Sequence, residues 1–318
     1  MRQNARNGLV LGLDVGGTSI KGVFGVMRGG GGEHESVEWV VRAQSAAYTK
    51  PTVEHVRAAL RDLAAELMHS RDGAERVGAV GLCVPGVVEP TTQRVSASVN
   101  MPGLVGVSLR ELAAEAVGTR GVEEGLKVSV VGDALAAAEE CGRMLKLAEH
   151  ERLMAVALGT GVGMVVLDGQ QQLLVNPGTS GHFGQIDVSL DRDESKVPIG
   201  PDGGRGSLEA YIGLAALKAR YGEGEQLRRA LERITVDDDP IRALVRGLRV
   251  VLAIYKPRVV ALLGGVGTAL GQAAVARELQ GAVSRDVSRV VPMDWRLEFA
   301  ADGFYSARGA GNRAARGI

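Results

Sequence analysis

Leu11-Gly12-Leu13-Asp14-Val15-Gly16-Gly17-Thr18-Ser19-Ile20-Lys21-Gly22 decides how the rest of the chain is read. The apolar run over residues 9–13 predicts a buried strand, which ends in an aspartate, a glycine pair and a threonine. A second apolar run over residues 20–26 predicts its antiparallel partner. Two strands joined through Gly-Gly-Thr predict a tight hairpin, because glycine takes positive φ at no steric cost. Such a turn points backbone N–H groups outward with no side chain in the way. Those donors, the Thr18 hydroxyl and Lys21 suit a phosphate chain. The expected role of Asp14 is to hold a magnesium ion through water. The same spacing also fits a plain hairpin with no ligand.

At 318 residues the chain is too long for one simple core and suits two domains. Charge is balanced, 37 basic residues against 37 acidic, which leaves no electrostatic footprint for nucleic acid or an anionic membrane. Aromatic residues make up 3% of the chain, too few for single-strand stacking platforms. Glycine, at 45 residues, is about double its usual share and gathers at the ends of apolar runs, where backbone must approach a ligand. Cys83 and Cys141 carry no metal or redox spacing; Cys83 is expected to be a small buried hydrophobe, and a reduced, cytoplasmic setting is expected. Residues 1–7 lack the apolar core of a signal peptide, and no run of 18 apolar residues predicts a membrane span.

In chain order, a third strand is expected over residues 38–44. A helix follows from Pro51 and Thr52, with Val53, Val56, Leu60, Leu63 and Leu67 on one face. Residues 77–84 read as a strand covered on both faces, ending at Pro85-Gly86. A short helix over 108–117 and a strand over 126–131 lead to Gly132-Asp133 and a helix over 134–147. An aspartate at that place is a common N-cap, and a catalytic carboxylate at a strand end has the same appearance. Strands over 153–158 and 164–167 then flank Gly159-Thr160-Gly161-Val162-Gly163, so the opening pattern recurs. Two such hairpins predict duplicated domains facing each other across a cleft. Residues 176–206 are expected to form a long loop and 207–220 a helix carrying Glu209. A helix over 241–255, a strand over 259–263 ending in Gly264-Gly265, and a C-terminal helix complete the chain. The expected division is residues 1–145, completed by 304–318, and residues 146–303.

Asp14-x-Gly-Gly-Thr-x-x-Lys21, Gly159-Thr-Gly-x-Gly163 and Gly264-Gly265 resemble the phosphate-1, phosphate-2 and adenosine motifs of the actin and sugar kinase superfamily. Within it the chain resembles the ROK family of repressors, open reading frames and kinases. Val84-Pro-Gly86, Asn100-Met-Pro-Gly103, Asp133 before an alanine-rich helix, and Gly206-Ser-Leu-Glu209 support this in the family's order. The resemblance implies an α/β fold of two ribonuclease-H-like, actin-like ATPase domains with mixed five-stranded sheets around a central cleft. It implies that Gly16, Gly17, Thr18, Lys21, Gly159, Thr160 and Gly161 approach ATP phosphates, with Gly264 and Gly265 beside the adenosine. It implies that Asn100, Asp133 and Glu209 hold sugar hydroxyls, with Asp133 as general base. Family members are often homodimers or homotetramers, which carries over as an expectation.

The departures are local. In Gly181-His182-Phe183-Gly184-Gln185, His182 stands where the family has a sugar-binding glutamate and Gln185 where it has a zinc-ligating histidine. Gly200, Asp202 and Ser207 stand at the family's cysteine positions, so no structural zinc is expected. His182 is expected to join the sugar site, since an imidazole both accepts and donates where a glutamate only accepts. An ATP- and Mg²⁺-dependent hexose kinase is the leading reading. A sugar-sensing transcriptional regulator is disfavoured, because family repressors place a helix-turn-helix domain before the first phosphate motif and only 13 residues precede Asp14. A degenerate sugar-binding or regulatory member is supported by the lost zinc ligands and glutamate. Retention of Asp133, Lys21 and the nucleotide motifs opposes it.

Overall fold

The computed structural model describes residues 8–28, 36–69, 77–89, 91–98, 101–118, 125–175, 179–201, 203–285, 287, 288, 290, 291 and 293–318. In chain order the elements are β1 (Leu9–Val15), β2 (Ile20–Arg28), β3 (Ser36–Gln44), α1 (Val53–His69), β4 (Val77–Val84), β5 (Val87–Val88), β6 (Val95–Ala97), α2 (Leu109–Ala116), β7 (Lys127–Gly132) and α3 (Asp133–Met144). There follow β8 (Arg152–Leu158), β9 (Val162–Asp168), β10 (Gln171–Gln172), α4 (Leu208–Ile212), α5 (Leu214–Tyr221), α6 (Glu225–Arg233), α7 (Asp239–Tyr255), β11 (Val259–Leu263), α8 (Gly264–Gln272), α9 (Ala276–Ser284), β12 (Arg296–Phe299) and α10 (Tyr305–Arg316). The chain divides into two units, Met1–Glu140 with Phe304–Ile318, and Cys141–Gly303.

Each unit holds a five-stranded mixed sheet, in the orders β3-β2-β1-β4-β7 and β10-β9-β8-β11-β12. In the first, β1 pairs antiparallel with β2 and parallel with β4, and β4 pairs parallel with β7. In the second, β8 pairs antiparallel with β9 and parallel with β11, and β11 pairs parallel with β12. The two sheets therefore have one topology, with the glycine-rich hairpins at the same place in each.

Strand β1 is buried along its whole length because both of its faces are covered. With a period of two, Leu9, Leu11, Leu13 and Val15 pack with Leu60, Leu63 and Leu67 of α1 and Leu109 and Leu112 of α2. The other face is small: Val10 and Ala79 meet Ala314 and Ala315, and Cys83 meets Ala136 and Ala310. A Cβ at Gly12 would overlap the Ala307 carbonyl, and one at Gly81 would overlap the Ala310 carbonyl. α10's own glycines are confined as well: a Cβ at Gly309 would overlap the Ala136 carbonyl of α3, and one at Gly311 would meet the Trp39 ring and Gly12. A buried Glu140 on α3 pairs with Arg308 at 3.2 Å and accepts from Asn312 at 2.7 Å, pinning α10 to α3.

The second core gathers Met154, Val156 and Leu158 of β8, Val260 and Leu262 of β11, and Leu244, Leu248 and Leu252 of α7. The helix expected over 207–220 is two helices. It breaks at Gly213, whose backbone is extended (φ −61°, ψ 151°) and whose Cβ position lies 2.7 Å from the Glu209 carbonyl. The glycine run after β11 opens α8. α6, α9 and β12 were not expected. The run of four glycines over residues 29–32, which reads as a flexible turn in the sequence, lies outside the described residues. Among the described residues no helix is long and apolar enough to cross a membrane.

Gly81→Ala should destabilise the protein near the upper end of the ~1–3 kcal/mol range for overpacking, because only backbone lies in its way. Gly281→Ala, on α9 with open space around it, should be neutral or stabilising by up to about 1 kcal/mol. Urea unfolding of both variants checks the contrast.

Candidate active site

Parallel register brings the first unit's polar residues together. Asp14 of β1 pairs with Cys83 of β4, and Val84 of β4 pairs with Gly132 of β7. Asp14, Cys83 and Asp133 therefore cap adjacent strand ends, on the carboxyl side where open α/β sheets bind ligands. The Asp133 carboxylate accepts the Ala134 N–H at 2.7 Å. Burial and the Asp14 charge nevertheless push its pKa up to about 7. Asp14 is buried, and its pKa is raised by loss of water, against the pull of Lys21 and a thiol hydrogen bond. That thiol is Cys83, whose Sγ lies 3.6 Å from Asp14 Oδ1 and 3.5 Å from the Leu13 carbonyl. Burial and both carboxylates push the thiol well above its usual range, so it remains a donor. The sequence reading of Cys83 as a small hydrophobe was right about burial and missed this bond.

Lys21 stands opposite Asp14 in the β1–β2 register, and the Gly16–Ser19 turn closes with Gly16 N–H on the Ser19 carbonyl at 3.0 Å. Neither Gly16 nor Gly17 takes the left-handed φ expected of them. Gly16 is small for a different reason: its Cβ position lies 3.0 Å from the Ser19 carbonyl. Asp14 offers one hard oxygen donor in a site short of positive charge. That fits Mg²⁺, which takes one or two carboxylates with substrate phosphates and keeps several waters. Among the described residues no group of three or more His, Cys, Asp or Glu is placed to hold a metal.

In the second unit, Leu263 of β11 pairs with Ala157 of β8, so the Gly159–Gly161 turn and the start of α8 lie at neighbouring strand ends. Gly264 has φ +78°, and a Cβ there would overlap the Leu158 carbonyl. No side chain caps α8, and Gly265 and Gly159 both face open space. Thr160 is exposed. Glu209 is buried on α4, and its Oε2 accepts the Val162 N–H at 2.7 Å, where β9 begins. The break at Gly213 lets Leu214 N–H reach the Gly159 carbonyl at 3.0 Å. Gly184 sits with its Cβ position 3.2 Å from Glu209 Oε2. His182 is exposed and opens the 3₁₀ turn Phe183–Gln185, which is anchored by the buried Phe183. The structure thus brings Glu209, the turn that follows His182 and the Gly159–Gly161 hairpin together. Asn100 lies outside the described residues.

A model of the ROK family matches residues 10–294. The chain belongs to the ROK family. Its fold is similar to a ROK hexokinase from Thermus thermophilus, with 24% identity, a TM-score of 0.65, and coverage of 95% of this chain and 96% of that one. It is similar to a ROK family glucokinase from Streptomyces griseus solved with glucose and AMPPNP, with 22% identity, a TM-score of 0.67, and coverage of 97% and 100%. A ROK family transcriptional regulator, a homologue of the E. coli MLC protein, matches with 16% identity, a TM-score of 0.70, and coverage of 99% and 80%. At these identities the likeness establishes the fold. No curated protein sequence matches the chain.

In this ROK chain the segment where zinc ligands were absent from the sequence is held by hydrogen bonds. Short bridges join Asp187 to Ser207 and Ile199 to Arg205. The Arg205 guanidinium donates to the carbonyls of Glu194 at 2.7 Å and Val197 at 3.4 Å. Ser207 accepts the Ala210 N–H at 3.3 Å and caps α4. An arginine beside glycines here is suited by sequence to fork onto a carboxylate such as Asp202 or Glu209, but Arg205 donates to these carbonyls rather than to Glu209. Asp202 lies outside the described residues.

Two outcomes are expected. Arg205→Ala should lower Tm, whereas chelator treatment of the wild type should leave Tm unchanged; thermal denaturation reads both. Second, an Asp133 pKa raised to about 7 from an unfolded value of 3.8 means the folded state binds the extra proton between them. That contribution to stability is present below the unfolded value and is lost as pH rises through the folded one. Asp133→Asn removes the effect, so its Tm should gain on the wild type as pH rises from about 4 to about 8.

Proposed function

We propose that the chain is an ATP-dependent carbohydrate kinase that transfers the γ-phosphate to a hydroxyl of a hexose or related sugar. The observation that carries this is Asp133: a carboxylate at a strand end, opening a helix, with its pKa raised to about 7 by burial and by Asp14. A general base works best when its pKa is near the working pH, and a sugar hydroxyl needs one as its oxygen attacks phosphorus. In the proposed step the hydroxyl proton passes to Asp133. The sugar oxygen bonds to the γ-phosphorus, and the bond to the β–γ bridging oxygen breaks to release ADP. Phosphoryl transfer otherwise asks for positioning and charge neutralisation. Gly16, Gly17, Thr18, Lys21, Gly159, Thr160 and Gly161 are the proposed phosphate contacts, with Gly264 and Gly265 beside the adenosine. Mg²⁺ bound with the nucleotide near Asp14 would neutralise phosphate charge. Asn100, His182 and Glu209 are the proposed sugar contacts, with Asp133. The hexokinase and glucokinase relatives make hexoses the first substrates to try.

A coupled ADP-release assay over a sugar panel tests the reading, and absence of turnover with every sugar would overturn it. Asp133→Asn should lower turnover on the order of 10²-fold or more while changing sugar affinity far less. The wild-type kcat/KM should rise with pH to a plateau, with its midpoint near the value of about 7. His182→Gln should reorder sugar preference and leave the KM for ATP unchanged.

A further inference from the structure

Residues 44–48, the last residue of β3 and the segment after it, fold back on the Gly16–Ser19 turn. Gln44 Nε2 donates to Ser19 Oγ at 2.9 Å, Ser45 N–H to the Ile20 carbonyl at 2.9 Å, and Ile20 N–H to Ser45 Oγ at 2.9 Å. Tyr48 makes the two bonds that matter most. Its phenol donates to the Gly16 carbonyl at 2.6 Å, and its backbone N–H donates to the Thr18 carbonyl at 2.8 Å. The ring is buried in the core of the first unit and packs edge-on against His55, with centroids 5.7 Å apart.

A trans peptide is planar, so its C=O and the following N–H point in opposite directions. Drawing the Gly16 carbonyl to Tyr48 turns the Gly17 N–H away from Tyr48. Drawing the Thr18 carbonyl to Tyr48 does the same to the Ser19 N–H. Neither N–H has a protein partner among the described residues, and nor does that of Thr18. Unpaired N–H groups on successive turn residues make a concavity suited to an anion. Left alone, a glycine-rich turn samples many peptide orientations, and ordering them on binding costs affinity.

We propose that Tyr48 is a positioning residue that presets the Gly16–Ser19 turn, so that its N–H groups meet the phosphates of a nucleotide without reorganisation. The inference rests on the kinase reading above. Burial and the nearby Asp14 charge push the Tyr48 phenol upward, which keeps it a donor across the working range. No motif pointed to Tyr48, since its role lies in contacts 30 residues away in sequence.

Calorimetric titration of wild type and Tyr48→Phe with MgATP, MgADP and adenosine tests it. The phenylalanine ring keeps the core filled, and only the phenol bond is lost. Affinity for MgATP and MgADP should fall roughly 5- to 10-fold, adenosine affinity should hold, and Tm should change little. Equal MgATP affinity in the two proteins would overturn the role of Tyr48 and leave the kinase reading intact. A parallel loss of adenosine affinity would make Tyr48 a general structural residue and overturn the inference. A wild type that binds none of the three would overturn the kinase reading, and the inference with it.

Discussion

Asp14 and Asp133 stand at the ends of the parallel strands β1 and β7, on either side of β4, and the burial of both carboxylates, with the Asp14 charge acting on Asp133, is the tension around which the first unit is built. Two like charges near each other cannot both ionise at the ordinary carboxylate pKa, and desolvation raises the cost further. The structure relieves only part of this. Lys21 opposes Asp14 across the hairpin, and the Cys83 thiol donates to it. Among the described residues, Asp133 receives only backbone N–H groups. The remaining imbalance gives one carboxylate the properties of a base near neutrality and gives the other a demand for positive charge.

That arrangement depends on backbone packing more than on side-chain bulk. Asp14 and Cys83 share the small-residue face of the sheet with Val10, Gly12, Ala79 and Gly81, onto which α10 presses. Larger residues there would lift the helix and open the strand ends to water, and the pKa of Asp133 would relax toward its free value. The second sheet repeats the topology with a different result. At the ends of β8 and β11 it places glycines and an uncapped helix start instead of acids. The same strand order thus carries acids at the strand ends of one unit and glycines with an uncapped helix start in the other.

Much of this was legible in the sequence because it is local. Strands 77–84 and 259–263 matched residue for residue, since fully buried parallel strands are continuous apolar runs bounded by glycine or proline. The duplicated hairpin gave away the repeat. The misses share a cause. Gly16 and Gly17 were read for positive φ, yet Gly16 is small because a carbonyl approaches it, which only tertiary structure reveals. The break at Gly213 goes with Leu214 N–H reaching Gly159, far away in sequence. Tyr48 and the thiol of Cys83 act through hydrogen bonds between distant segments, where periodicity is silent. The short strand β12 carries Arg296 and Glu298 among its four residues, so no apolar run announced it.

Helix α3 sets the carboxylate proposed as the base beside two that serve the fold. It carries Asp133, Glu139 and Glu140 within 12 residues, all inside the fold to some degree. Glu139 is raised by burial, but Arg313 and Arg316 pull it back. Glu140, the most buried, is met by Arg308 and Asn312 from α10. Breaking a buried ion pair of that kind leaves an uncompensated charge, so both glutamates tie α3 firmly to α10. Asp133, at the other end of the same helix, meets no cation among the described residues that offsets its burial. Residues that serve only the fold are expected to agree with every local rule, and an uncompensated charge breaks one at a cost in stability. The ion pairs further along α3 hold the helix in place, so Asp133 can remain uncompensated without letting the strand end loosen.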